Sequence, residues 1–534
     1  MSAHHPQLTA RVGRTHPAVV NRRMHELLGI LLAGLIPLAL GLAITVEDPK
    51  PDPILIFGIM LGLAAVVALL LSSRYTVTLT LVALYLGLLD GPVKMESASK
   101  AASGVRDVLI IAVALGMIMR LAVKKDHVRL PPLAGWVIGF VAVVLVEALN
   151  PHTNGILKSI GGYRQQLEWV PFFFFGYLIV RSKQRFRQLF LILGVIALAN
   201  GVVGAVQARI SPGELASWGP GYSGLVHGGS EGTGLTGRTY KSEGETRARP
   251  PALGSDSGFG GGVGVIALPG LLALLAAGRL RRRWPVLLLC VGALLGIATA
   301  ASRTSVVSGV VALVCFGLLS LVAGLRVGRP LVGLMVVIIL ASAVGSILVA
   351  ADGKGVFARQ ESLTSLSKTD ESGASAKERN LSEIPSDLIH GPFGYGLGTA
   401  GSVSGFGGHQ RLEVEGQRIS GGSAYALLMK ELGFPGLFLW VGLSTSVFIL
   451  AVRWLRQVAD PQLRTYLVGL LAAFAALTVQ GLSGPTLAVS SGAFLWFVPG
   501  VIAYWFAGAG LARIRTRTAG GGRAPSSAVA VGAL

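Results

Sequence analysis

The chain is a succession of apolar blocks about 20 residues long, the length an α-helix needs to cross a lipid bilayer. Blocks fall at 26–45, 53–72, 75–93, 107–123, 133–149, 167–180 and 188–208, then at 259–278, 284–301, 304–325 and 330–350. The last three lie near 423–452, 465–484 and 489–510, which makes about fourteen. Backbone in hydrocarbon must satisfy its own hydrogen bonds, so such blocks read as helices. The expected fold class is an all-α polytopic integral membrane protein. Only 13% of the residues are charged, against about a quarter in a soluble domain. A surface that poor in charge cannot face water all round.

The formal net charge of +20 has a positional explanation. The loops 1–25, 73–75, 124–131, 181–187, 279–283, 326–329, 453–464 and 511–534 hold 25 Lys/Arg against two acids, Asp126 and Asp460. Such asymmetry follows the positive-inside rule, so no nucleic-acid partner is needed to explain it. An even number of spans puts both termini in the cytoplasm, and the basic tail Arg513, Arg515 and Arg517 agrees. The basic segment at the N-terminus precedes a block longer than the apolar core of a cleavable signal, so it reads as the anchor of a first span. Cys290 and Cys315 fall inside apolar blocks and read as small buried hydrophobes.

These features divide the chain into a cytoplasmic basic N-terminus (1–25), N-terminal membrane helices (26–208) and an extracytoplasmic Gly-rich loop (209–258). Central membrane helices (259–350) and a large extracytoplasmic loop (351–422) follow, then C-terminal membrane helices (423–510) and a disordered cytoplasmic tail (511–534). Loops of this length tend to be functional or disordered, and the second is expected to carry short helices over the outer mouth. Ionisable side chains are costly in hydrocarbon, and Glu168 is the one acid placed in the first turn of a span.

The informative side chains are arginines expected on the outer face. Arg164 lies in GGYRQQLEW, Arg247 and Arg249 in ETRARPPALGSDSGFGG, Arg303 in AASRTSVVSG and Arg379 in ASAKERNLSEIP. A guanidinium offers a planar fork of donors and keeps its charge, which suits phosphate and pyrophosphate. As a set they suggest a lipid-linked pyrophosphate. Singly, Arg164 with Glu168 also fits a helical ion pair, and Arg303 also fits a span end at the headgroups.

In this order, GGYRQQLEWVPFFFFGYLIV, RPPALGSDSGFGG, ASRTSVVSGVVALV and HGPFGYGLGTAG followed by SAYALLMKELGFPGLFLWV, the chain resembles the O-antigen ligase and polysaccharide polymerase-like membrane proteins. The resemblance covers roughly 160–450. It implies a GT-C-like membrane-embedded glycosyltransferase that works on the outer face of the bacterial inner or cytoplasmic membrane. The donor would be an undecaprenyl-pyrophosphate-linked glycan and the acceptor a glycan or lipid-glycan. The reaction would invert the anomeric centre without a metal or other cofactor. Arg164, Arg249, Arg303 and Arg379, with Arg247 as a further candidate, would bind the pyrophosphate.

One departure bears on the subclass. Ligases of this family place a histidine, then Asn, Ser or Gln, upstream of a Gly-x-x-Gly. Here the glycines are Gly433 and Gly436, Ser423 takes the second position, and Gly422 stands where the histidine would be. That favours a polymerase or a divergent transferase and leaves the general base open, with Glu413, Glu415 and His409 as candidates by location. The alternative is a membrane transporter or flippase of lipid-linked glycans, which would need a polar path through the membrane midplane. GYGLGT at 394–399 reads as a tight turn rather than a dinucleotide loop, because no strand–helix unit surrounds it. Arg281 to Arg283 read as a topology anchor, and Phe172 to Phe175 as lipid- or core-facing bulk.

Overall fold

A computed structural model describes, with short gaps, residues 80–97, 130–227, 239–277, 283–325, 383–403 and 422–507. It also describes a few positions in 106–114 and 335–345, and residues 413–414 and 417–418. The expected spans 26–45 and 53–72, both tails, Arg281 and Arg282, Arg379, His409 and Glu415 lie outside the described residues. So does most of 107–123 and 330–350. Two compact units divide the chain, and nearly all described residues belong to the one formed by Thr80–Lys100 and His127–Leu534. In the other unit, Arg106 and Asp107 lie 3.9 Å apart as an ion pair.

In the larger unit a π-helical turn (Tyr85–Leu89) leads into α1 (Asp90–Ser97). Helices α2 (Ala134–Glu147), α3 (Ile156–Leu167), α4 (Pro171–Ile179) and α5 (Lys183–Gln207) follow. The short helices α6 (Pro212–Ser217) and α7 (Pro220–His227) precede an antiparallel hairpin of β1 (Thr239–Ser242) and β2 (Glu245–Ala248). Next come α8 (Phe259–Ala276), α9 (Trp284–Thr299), α10 (Arg303–Val322) and α11 (Ile384–His390). A two-residue hairpin, β3 (Glu413–Val414) with β4 (Gln417–Arg418), stands before α12 (Ala424–Trp454), α13 (Pro461–Gln480) and α14 (Ser491–Ile502).

Five described helices are long and apolar enough to cross a membrane: α5, α8, α10, α12 and α13. Their side chains are arranged as lipid demands. On α10, Val307, Val310, Val314, Leu318 and Leu321 form one exposed stripe, while Ser305, Ser308, Gly309, Ala312 and Ser320 are buried. Phe316 apart, this helix keeps small residues inside and apolar bulk outside, the reverse of a soluble helix and a fit for packing between helices in hydrocarbon.

The core is α8, wrapped by α5, α9, α10 and α13. It is buried along nearly its whole length, from Gly260 to Ala276. Glycine lets the backbones approach. A Cβ on Gly264 would meet the Ala293 carbonyl on α9, and one on Gly469 of α13 would lie 2.7 Å from the Pro269 carbonyl on α8. The pair α4 and α14 is closed the same way, with Gly176 against the Phe497 carbonyl and Gly500 against the Phe173 carbonyl. Phe172, Phe173 and Phe175 face this core.

The structure corrects the span expected at 167–180. Helix α3 ends at Leu167, a turn intervenes, and α4 starts at Pro171, the proline occupying the first helical positions. Arg164 therefore sits in the last turn of α3 rather than ahead of a span.

The expected basic loops meet at one end of the bundle. The Lys183 ammonium donates to Asp460 at 2.6 Å, Arg464 donates to the Ala323 carbonyl at 2.8 Å and Arg456 donates to the Val322 carbonyl at 2.6 Å. The Trp505 indole donates to the Val180 carbonyl at 2.8 Å. Asp460 also caps α13, accepting from the backbone N–H of Gln462 and Leu463. Burial opposes its charge, but the Lys183 bond and the two N–H donors outweigh burial and hold its carboxyl below the usual range. A depressed carboxylate stabilises the fold above its unfolded value and loses that contribution as pH falls through the folded value. Lys183 is well exposed, so Asp460→Asn should cost less than about 1 kcal/mol at pH 7. The gap from wild type should close below about pH 4. Thermal unfolding in detergent between pH 7 and pH 3 checks this, and a gap that persists unchanged at pH 3 contradicts it.

Candidate functional site

The opposite end of the bundle holds two constructions. The first is a break in α12. At Gly433 the backbone turns to φ 64 and ψ −164, a region open in practice only to glycine. Pro435 follows and has no N–H to offer. The helical bond from Phe434 N–H to the Lys430 carbonyl is replaced by chain from residues 392–395. Phe434 N–H donates to the Pro392 carbonyl at 2.8 Å, and Tyr395 N–H donates to the Lys430 carbonyl at 2.7 Å. Membrane helices tolerate a break only where freed backbone groups find such partners.

The strap that supplies them, residues 383–403, is pinned along its length. Glu383 and Lys430 form an ion pair at 2.6 Å, and Leu397 N–H donates to the Thr153 hydroxyl at 3.0 Å. Glu431 is fully buried. Its carboxylate accepts from the Gln166 amide at 2.7 Å, the Gln165 amide at 3.0 Å and the Ala400 N–H at 3.2 Å. The Gln165–Gln166 pair belongs to α3, so one carboxylate ties α3, the strap and α12 together. Lys158, also on α3, is 2% exposed. Burial pushes its ammonium below the usual lysine range, and the charge of Glu431 pulls back. In the strap, burial raises the Asp387 carboxyl, whose Oδ1 accepts from the Tyr395 hydroxyl at 3.4 Å.

Glu168, expected in the first turn of a span, instead stands at the C-terminal cap of α3. Two other acids, Glu431 and Glu147, are buried within helices. Each has donors to meet it, Glu147 through the Asn150 amide at 3.0 Å, which offsets the cost of burial.

The second construction is the turn Arg249–Gly258 between β2 and α8. Pro250 and Pro251 restrict the residues before them to extended backbone. Two buried amides on α5 grip the chain beyond. Gln207 accepts from Ala252 N–H at 2.7 Å and donates to its carbonyl at 3.1 Å. Asn200 accepts from Leu253 N–H at 3.0 Å and donates to the Gly87 carbonyl at 2.8 Å. Gly258 N–H then returns to the Pro250 carbonyl at 3.3 Å, closing the turn beside Arg249. A Cβ on Gly258, which has φ 90, would lie 3.6 Å from the Ser302 Cβ. Arg303 is the next residue and the first of α10, while the Ser302 hydroxyl bonds that of Thr304 at 2.8 Å.

The backbone segments that carry Arg249 and Arg303 are thus brought near each other through Pro250, Gly258 and Ser302. Arg247 lies in β2 opposite Tyr240. Arg164, half-buried, is placed instead by the contacts of Gln165 and Gln166 with Glu431. Of the expected bases, only the backbone of Glu413, in β3, is described. Ser423 caps α12 by accepting from Ala426 N–H at 3.0 Å. Sequence reasoning missed Glu431, Gln165, Gln166, Asn200 and Gln207. Their signal was polarity inside apolar surroundings. Among the described residues no group of three or more His, Cys, Asp or Glu is placed to hold a metal ion.

The class defined here is an all-α membrane protein with a broken helix and an arginine-bearing turn at one end. No protein-family model, curated protein or solved structure matches the chain.

Proposed function

We propose that the chain is an inverting, metal-independent glycosyltransferase of the polysaccharide polymerase or ligase type, with a polymerase or a divergent transferase favoured by Gly422 at the histidine position. It has about fourteen membrane helices and a GT-C-like outer loop, and works at the bacterial inner membrane with both termini in the cytoplasm. The donor is a polyprenyl-pyrophosphate-linked glycan. An acceptor hydroxyl attacks the anomeric carbon, the bond from that carbon to the pyrophosphate oxygen breaks, and the hydroxyl proton passes to a base. The arginines stabilise the charge gathering on the leaving pyrophosphate.

The observation that supports this reading is that the turn carrying Arg249 lies beside Ser302, the residue before Arg303, at the end of α10 remote from the basic loops, about 30 Å away along a 20-residue helix. Transfer of glycan from a purified polyprenyl-pyrophosphate donor to a glycan acceptor tests it. A transporter or flippase draws support from the break in α12, since discontinuous helices mark many transporter sites. Glu431 beside the break is fully engaged by its donors, which favours the enzyme. Movement of intact donor across vesicles without transfer would reverse that preference.

Sidedness is testable separately. Cysteine at the exposed Asp256 should react with an impermeant maleimide in intact cells, and cysteine at the exposed Ala459 only after lysis. The opposite pattern would place the arginines in the cytoplasm and end the proposal.

A further inference from the structure

Two alanines close in sequence to the arginines stand in the left-handed region: Ala252, φ 55, three residues after Arg249, and Ala301, φ 45, two before Arg303. An L-residue held there is strained and persists only where its surroundings hold it. For Ala252 the holder is visible. Gln207, 2% exposed, meets both the N–H and the carbonyl of this one residue, and the Ala252 Cβ is wedged 3.0 Å from where a Cβ on Gly260 would sit. A buried amide at the end of a membrane helix is costly unless both its atoms are bonded. Here both are spent on a single turn residue three positions from Arg249.

We infer that Gln207 is a positioning residue for the arginine pair: it holds Ala252 left-handed, so that the turn closes on Ser302 and fixes the spacing of Arg249 from Arg303. This rests on the pyrophosphate-binding reading for its consequence, but not for its geometry. Without the Gln207 bonds Ala252 relaxes toward negative φ, and the closure from Gly258 N–H to the Pro250 carbonyl opens. Glycine at 252 takes the left-handed conformation without steric cost, so Ala252→Gly should rescue loss of Gln207. Loss of mere packing volume would not be rescued this way.

The test uses the full chain in detergent with Cys315→Ala, Cys290 being buried. Spin labels at Asp256→Cys and Val310→Cys, both exposed, report the distance from the turn to α10. Farnesyl pyrophosphate is the binding probe, with farnesyl monophosphate as comparison. In the otherwise native chain the distance distribution should be narrow. Gln207→Leu should broaden it and weaken farnesyl pyrophosphate binding by roughly tenfold. Adding Ala252→Gly should restore both. If Gln207→Leu is not monodisperse, Gln207→Glu, which keeps an acceptor for Ala252 N–H but loses the donor, should broaden the distribution partly. An unchanged distribution in the monodisperse variant overturns the inference. Broadening in a protein that never binds the pyrophosphate upholds Gln207 as the holder of the turn and removes the pyrophosphate reading.

Discussion

Alanine at Arg249 or at Arg303 is expected to cut glycan transfer from a polyprenyl-pyrophosphate donor by roughly 10- to 150-fold. A charge-assisted hydrogen bond contributes about 1.5–3 kcal/mol, and each 1.36 kcal/mol off the barrier is about a tenfold rate change. Lysine should rescue poorly, because an ammonium cannot present two parallel donors to one phosphate. The two alanine changes together should fall short of the product of the single losses, since residues that share a ligand couple. Arg283, exposed at the start of α9, should affect membrane insertion more than turnover. Initial rates on monodisperse protein check these values. Full activity in the alanine variants at Arg164, Arg249, Arg303 and Arg379 alike would sink the proposed site.

The largest stability effect is expected where α12 breaks. Gly433→Ala forces a Cβ against the Pro392 carbonyl and the Gly394 N–H, at a backbone conformation costing about 1–3 kcal/mol for any other residue. Glu431→Leu removes the shared acceptor of the Gln165, Gln166 and Ala400 donors, at about 1–3 kcal/mol for each buried group left unmet. Both variants should lose most of their monodisperse fraction on mild heating in detergent. Gly262→Ala is the control, since a Cβ there meets nothing within 4 Å. A helical glycine replaced by alanine is stabilising by about 0.5–1 kcal/mol. If Gly433→Ala melts with the wild type, the strap does not stabilise α12 as described.

The long helices were legible because hydropathy averaged over a bilayer's thickness depends on many residues at once. Blocks 188–208, 259–278, 284–301 and 304–325 correspond to α5, α8, α9 and α10 within a few residues. The same averaging hid what interrupts them. Block 423–452 reads as one span, yet Gly433 divides it, and a single glycine before a proline barely moves a window mean. Glu431, Asn200 and Gln207 vanish for the same reason, and their partners lie far away in sequence, beyond any local pattern. The left-handed alanines have no sequence signature, since alanine is at home in most helices. The arginines stood out because a fixed charge at a span end is conspicuous. That the turn bearing Arg249 lies beside the start of α10 depends on Gly258 coming close to Ser302, 44 residues away in sequence.

The break in α12 also bears on how the chain assembles. Lys430 and Phe434 complete their backbone bonding with residues 392–395, which a ribosome makes before α12. When the later helix enters the membrane, the segment that mends its gap has already been synthesised. Had the strap followed α12 in the sequence, a carbonyl and an N–H would have waited in hydrocarbon for partners not yet made. Chain order thus matches the order of need, and a circular permutation that moves 383–403 behind 454 should slow maturation even where the finished contacts are the same.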